Sequence, residues 1–312
     1  MKSVDAPART TPARDPIAGR VQTDAPRSRA AAFLELTKPG ITRLVVVTAA
    51  AGFYLAQSAA FDVVRCIHAL IGIGLAASGA NALNMFVERD ADRRMHRTAR
   101  RPLPSGRLTT QEAVAFAGLL SALGVLQLLL FVNTITALVV ALSLASYVLV
   151  YTPLKRVTWA ATLVGAVPGA LPILAGWTAG GGPLDASGVT LFGIVFFWQM
   201  PHFFALAWMY RDDYVRGGFR MLSADDPAGS RTARQIVLWS VALLAVSLLP
   251  ATLGLAGPAY LVAALLLGLL FLGAGATMMA DRSVHRARRV FLASVLYLPL
   301  LLGTLVIDKA IG

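Results

Sequence analysis

Cysteine is nearly absent. Cys66 is the only one in 312 residues, so no intramolecular disulfide and no CxxC metal or redox site can form. It reads as a small packing residue near a helix start. Charge is scarce too, at 14% of the chain, against about 25% in soluble globular proteins. There is no P-loop, no GxGxxG fingerprint and no Ser-His-Asp order, so the usual phosphate-cradle and triad chemistries have no basis. The basic loops lack interleaved aromatics, which leaves nucleic-acid binding without support.

What is present is apolar. Hydrophobic residues make up 57% of the chain and the mean hydropathy is +0.67. Nine segments approach the roughly 20 residues that cross a bilayer. They fall near 41–58, 64–87, 111–131, 134–152, 158–179, 187–210, 234–253, 259–280 and 290–307. The expected fold is an all-α membrane protein of nine transmembrane helices. Residues 1–32, rich in Ala, Pro, Arg and Thr, are expected to form a disordered cytoplasmic tail, with the membrane domain spanning 33–312. The tail has no apolar stretch of the secretory type, and Asp5, Asp15 and Asp24 argue against an organelle transit peptide.

Lysine and arginine set the orientation. With the N-terminus in the cytoplasm, 26 of the 28 fall on that side, leaving only Arg65 and Lys309 opposite. So strong a positive-inside asymmetry supports an odd number of spans. The opposite connections are short, so the chemistry is expected in the bundle and its cytoplasmic loops, in a bacterial inner membrane.

Two acidic helix ends lie on that side. In "NMFVERDAD" (84–92), Asn84, Glu88 and Asp92 advance by about 0°, 40° and 80° on a helix and share one face. Asp90, at about 240°, points elsewhere. Such oxygen donors suit Mg²⁺, which is normally held by a few carboxylates plus substrate phosphates. A solvated helix end with arginine salt bridges accounts for the pattern equally well, although ionisable groups at membrane depth are usually functional. The second end, "FFWQMPHFFALAWMYRDDY", carries Asp212 and Asp213. His202 lies at nearly the same helical angle as Asp213 and about 16 Å deeper. It reads either as a site residue or as a core histidine bonded to a carbonyl freed by Pro201.

Between them, "YTPLKR" offers Tyr151, Lys155 and Arg156, and Arg97 follows the first acids. Lys155, Arg156 and Arg97 are candidates for gripping phosphate oxygens, though membrane anchoring explains most loop arginines.

Asn-x3-Glu-x3-Asp, Tyr-x3-Lys and a later acidic pair in this order resemble the UbiA superfamily of intramembrane prenyltransferases. "LTKPGITRL", "RDADRRMHRTARRPLPSG" and "FWQMPHFFALAWMYRDDYVRGGFRML" are most similar to its heme-farnesylating branch, from about Leu36 to the C-terminus. The resemblance implies farnesyl diphosphate and heme B as substrates and Mg²⁺ as cofactor. It implies metal ligands at Asn84, Glu88, Asp92, Asp212 and Asp213, with Lys155, Arg97, Tyr151 and Arg156 at the diphosphate. His202 is then a heme contact, and a downstream heme-modifying enzyme a possible partner. Glu88 stands where the superfamily motif has Asp, and the second motif lacks its Asp-x3-Asp spacing. A quinone or chlorophyll-type acceptor and a carboxylate-coupled transporter are the rival readings. The transporter predicts acids near mid-membrane and an internal repeat, and neither is evident.

Overall fold

Among the described residues, the nine apolar segments become nine helices long and apolar enough to cross a membrane. The computed structural model describes residues 28–58 and 60–311 and has no strand among them. A short helix α1 (Arg29–Leu36) leads into α2 (Pro39–Ala56), α3 (Val63–Asp92) and α4 (Thr110–Phe131). The fourth span is composite: α5 (Thr134–Ala145), a π-helical segment (Ser146–Tyr151) and α6 (Thr152–Leu154). Next come α7 (Ala161–Ala179), α8 (Ala186–Met209) and the short α9 (Arg211–Gly217). The last spans are α10 (Ser230–Thr252), α11 (Pro258–Ala280) and α12 (Val284–Ile311).

Helix starts follow local chemistry. Pro39 opens α2, where its missing N–H costs nothing. Thr109 and Glu112 form a reciprocal capping box at α4. Asn133 and Asp185 cap α5 and α8. α1 begins at Arg29, inside the stretch expected to be a tail; residues 1–27 of that stretch lie outside the described residues. α3 also runs past the expected end of the second span, so Glu88 and Asp92 sit on one unbroken helix.

The spans form two groups. α2, α3, α4, α5 and α7 pack together, as do α8, α10, α11 and α12, and α7 meets α8 along the middle. α7 and α8 are the most enclosed spans, while Leu130, Leu149 and Leu270 project outward. That inversion of the soluble-protein pattern is what a lipid surroundings requires. Close approach of α2 and α7 depends on two glycines. A methyl on Gly52 would overlap the Ile173 carbonyl, and one on Gly176 would overlap the Ala49 carbonyl.

α2 and α12 form the second seam between the groups. An apolar cleft runs between them, bordered by Leu44, Val47, Tyr54, Leu298 and Leu302. At one end Lys309 Nζ donates to the carbonyls of Leu55 (2.6 Å) and Gln57 (2.7 Å), capping the C-terminus of α2. The neighbouring Asp308 accepts from the backbone N–H groups of Gly257 and Tyr260 at the start of α11. These contacts lie at the opposite end of α2 from Lys38 and the acids.

Candidate active site

Asn84, Glu88 and Asp92 are all buried on one face of α3. Each is met by a cation from elsewhere in the chain. Lys38 Nζ donates to Asn84 Oδ1 at 2.6 Å. Lys155 Nζ donates to Glu88 Oε1 at 2.7 Å. Arg101 Nη1 donates to Asp92 Oδ2 at 2.7 Å. Asn84 Nδ2 also donates to Thr152 Oγ1 at 3.2 Å, tying α3 to α6. Asp90 lies outside this network, exposed and beside Arg89.

The π-helical segment shapes the opposite wall. π-turns within helices recur at functional sites because the extra residue shifts the side-chain register. Here Tyr147 and Tyr151 stand with ring centroids 5.3 Å apart, and Lys155 Nζ sits 4.4 Å from the Tyr151 ring. A methyl on Gly165 would overlap the Tyr151 ring, so α7 makes room for it there. Burial alone would lower the Lys155 pKa. The Glu88 carboxylate and the two tyrosines outweigh burial and hold it well above the usual lysine value. Burial and the nearby Arg101 guanidinium pull Lys38 down to about 7. Lys38 is the one non-glycine residue with positive φ among those described, at 48°.

The second acidic end behaves differently. Asp213 is buried and accepts from the backbone N–H groups of His96 (3.2 Å) and Arg97 (3.3 Å) and from Arg216. Burial would raise its pKa, but those hydrogen bonds hold it below the usual carboxylate value. Asp212 is exposed beside Arg211. The Arg97 guanidinium lies over the rings of Tyr210 (5.0 Å) and Tyr214 (5.8 Å). Arg94 donates to the Gly217 carbonyl, and the Arg220 N–H to the Lys155 carbonyl. The loop after α3, the α9 arm and Lys155 are thereby bound into one unit.

Asp213→Ala should free the 93–109 loop, seen as faster proteolysis or hydrogen exchange there. Asp212→Ala should change stability by no more than about 0.5 kcal/mol, as at ordinary surface sites. A greater loss of stability from Asp212→Ala than from Asp213→Ala would contradict this division of structural roles.

The structure therefore brings Asn84, Glu88, Asp92, Lys155, Tyr151, Arg97 and Asp213 together. Arg156 is exposed and makes no side-chain hydrogen bond or ion pair among the described residues. None of the side-chain contacts of His202 is on α3; it packs against α12. Sequence reasoning missed Lys38, Arg101, Tyr147 and Thr152. Lys38 and Arg101 looked like any positive-inside charge, whereas Tyr147 had a readable signal, four residues before Tyr151.

No cluster of three or more His, Cys, Asp or Glu suited to a metal occurs among the described residues. The donors still fit Mg²⁺ chemically. They are all oxygens, and Asp92 Oδ1 is buried with no hydrogen-bond partner.

The UbiA prenyltransferase family model matches residues 45–298, which include Asn84, Glu88, Asp92, Lys155 and Asp213. The chain belongs to the UbiA prenyltransferase family. Among curated relatives, protoheme IX farnesyltransferase of Solibacter usitatus is 48% identical, covering 89% of this chain and 98% of that one. Protoheme IX farnesyltransferase of Opitutus terrae is 44% identical, covering 92% and 97%. Solved structures share the UbiA fold. One described as digeranylgeranylglyceryl phosphate synthase superposes with a TM-score of 0.77 at 18% identity, covering 91% of this chain and 99% of that one. A UbiA homolog from Archaeoglobus fulgidus bound to GPP and Mg²⁺ gives 0.66 at 14%, covering 88% and 99%. Like other UbiA proteins, the chain is a multi-pass membrane protein.

Proposed function

We propose that the chain transfers the farnesyl group of farnesyl diphosphate to a vinyl group of heme B, giving heme O. The observation that carries this reading is the buried cation–carboxylate cluster of Lys38, Asn84, Glu88, Lys155, Asp92 and Arg101. It occurs in a chain about half identical to a protoheme IX farnesyltransferase over nearly its full length.

Lys155 and Arg97 would receive the leaving diphosphate. Fixed cations aimed at developing charge stabilise it strongly where water is excluded. The allylic C–O bond breaks, and the heme vinyl group attacks the farnesyl carbon. Water then adds to the resulting cation and loses a proton, leaving a hydroxyl group. The Tyr147 and Tyr151 rings, with centroids 5.3 Å apart, would present electron-rich faces to the reacting end. The bundle around them holds the farnesyl chain and keeps water from the cation.

Mg²⁺, when bound, would neutralise the diphosphate. Asn84, Glu88 and Asp92 would hold it. Asp212 and Asp213 would join as a second arm by giving up Arg211 and Arg216. The positive-inside asymmetry supports an active site at the cytoplasmic face of an inner membrane. His202 would contact heme on the α12 side. The apolar product would suit transfer to a downstream heme-modifying enzyme.

Incubation of the purified protein with heme B, farnesyl diphosphate and Mg²⁺, followed by mass analysis, tests the reading. The expected product is heme B plus a farnesyl group and a hydroxyl group. Prenylation of a quinone precursor with heme unchanged would overturn it. His202→Ala should alter the heme absorption spectrum; an unchanged spectrum and affinity would remove His202 from the heme site.

A further inference from the structure

Ser294, on α12, is the hydrogen-bond partner of His202 Nδ1. His202 Nδ1 and Ser294 Oγ are 2.7 Å apart. Ser294 Oγ is also 2.6 Å from the Phe291 carbonyl oxygen, one turn back on its own helix. A carbonyl can only accept, and a serine hydroxyl has one proton. That proton goes to Phe291. The Ser294 oxygen is then left to His202 as an acceptor, the arrangement in which Nδ1 carries the proton. Nε2 then holds the lone pair.

The surroundings fix the ring in that state. The His202 ring stacks on Trp198, with centroids 5.1 Å apart, and lies 4.7 Å from Phe291 and 5.4 Å from Phe203. Trp198 Nε1 donates to the Ser294 backbone carbonyl at 2.7 Å, which holds α8 and α12 in register at this point. Ser294 is fully buried. Nε2 has no hydrogen-bond partner among the described residues, yet it is not among the polar atoms sealed from solvent. One nitrogen is saturated and the other open.

We infer that Ser294 is a positioning residue that holds His202 as the Nδ1–H tautomer and presents Nε2 as a ligand for the iron of an iron porphyrin. Iron is commonly held by a neutral imidazole. The other ring nitrogen of a ligating histidine almost always donates to a fixed acceptor, which sets ring orientation and raises ligand basicity. Ser294 supplies that acceptor. The inference rests on the proposed heme-binding reading of His202.

The test uses the full-length purified protein titrated with heme B and examined as the ferrous form by resonance Raman spectroscopy. His202→Ala should lose the iron–histidine band. Ser294→Ala should keep the band, shift it to lower frequency and weaken heme binding about tenfold or more. Ser294→Thr should resemble the parent. Ser294→Val, equal to threonine in size but without the hydroxyl, should resemble Ser294→Ala, which separates hydrogen bonding from packing. A band that survives in His202→Ala would overturn the ligand reading and this inference with it. A band lost in His202→Ala but unmoved in both Ser294→Ala and Ser294→Val would overturn the role of Ser294 alone. The ligand reading would then stand.

Discussion

Lys155→Ala is expected to lower kcat by about 10²- to 10³-fold, the usual cost of removing one fixed donor from a developing anion. It should also destabilise the protein. Glu88 is buried, and its partner would be gone. Breaking a buried ion pair costs about 3–5 kcal/mol because the remaining charge is uncompensated. Glu88→Gln combined with Lys155→Met separates the two effects. The double variant should recover most of the thermal stability in detergent but none of the turnover. If it turned over normally, the pair would be structural and the diphosphate would be held elsewhere.

Asp92→Asn should be nearly as damaging to catalysis and far gentler on the fold. Asparagine keeps the shape and an oxygen toward Arg101 but removes the charge. Turnover should fall by about 10²-fold or more, as for loss of a comparable charge-stabilising group. Higher Mg²⁺ should recover part of it, and heme binding should be unchanged. The buried Oδ1, left without a partner, is the reason to expect a cation there. Normal turnover at ordinary Mg²⁺ would remove Asp92 from the metal site.

Much of this was legible in the chain itself. Nine spans followed from apolar length. The shared face of Asn84, Glu88 and Asp92 followed from a period of 3.6, and Asp90 stands outside that face as the angle requires. The partners of those acids were not legible. Lys38 and Lys155 are brought to α3 by packing from distant parts of the chain and Arg101 by the loop that follows α3, and a basic residue near a membrane boundary is the commonest thing a positive-inside protein has. The π-helical turn was hidden as well. Nothing in "SYVLVY" distinguishes it from an α-helix by composition. The acidic pair divides by angle. Adjacent residues on a helix point about 100° apart, so Asp213 faces the loop while Asp212 faces water.

The clasp made by Asp308 and Lys309 has a consequence for biosynthesis. Of the nine spans among the described residues, α2 leaves the ribosome before the other eight, and α12 after them. The carbonyls at the end of α2 wait through the synthesis of eight further spans for the lysine that caps them. A chain stopped a few residues short of Asp308 would hold every residue of the acid–cation cluster. It would still leave two helix ends, those of α2 and α11, without their partners. Closure of the seam between α2 and α12 therefore waits on residues in the last turn of α12.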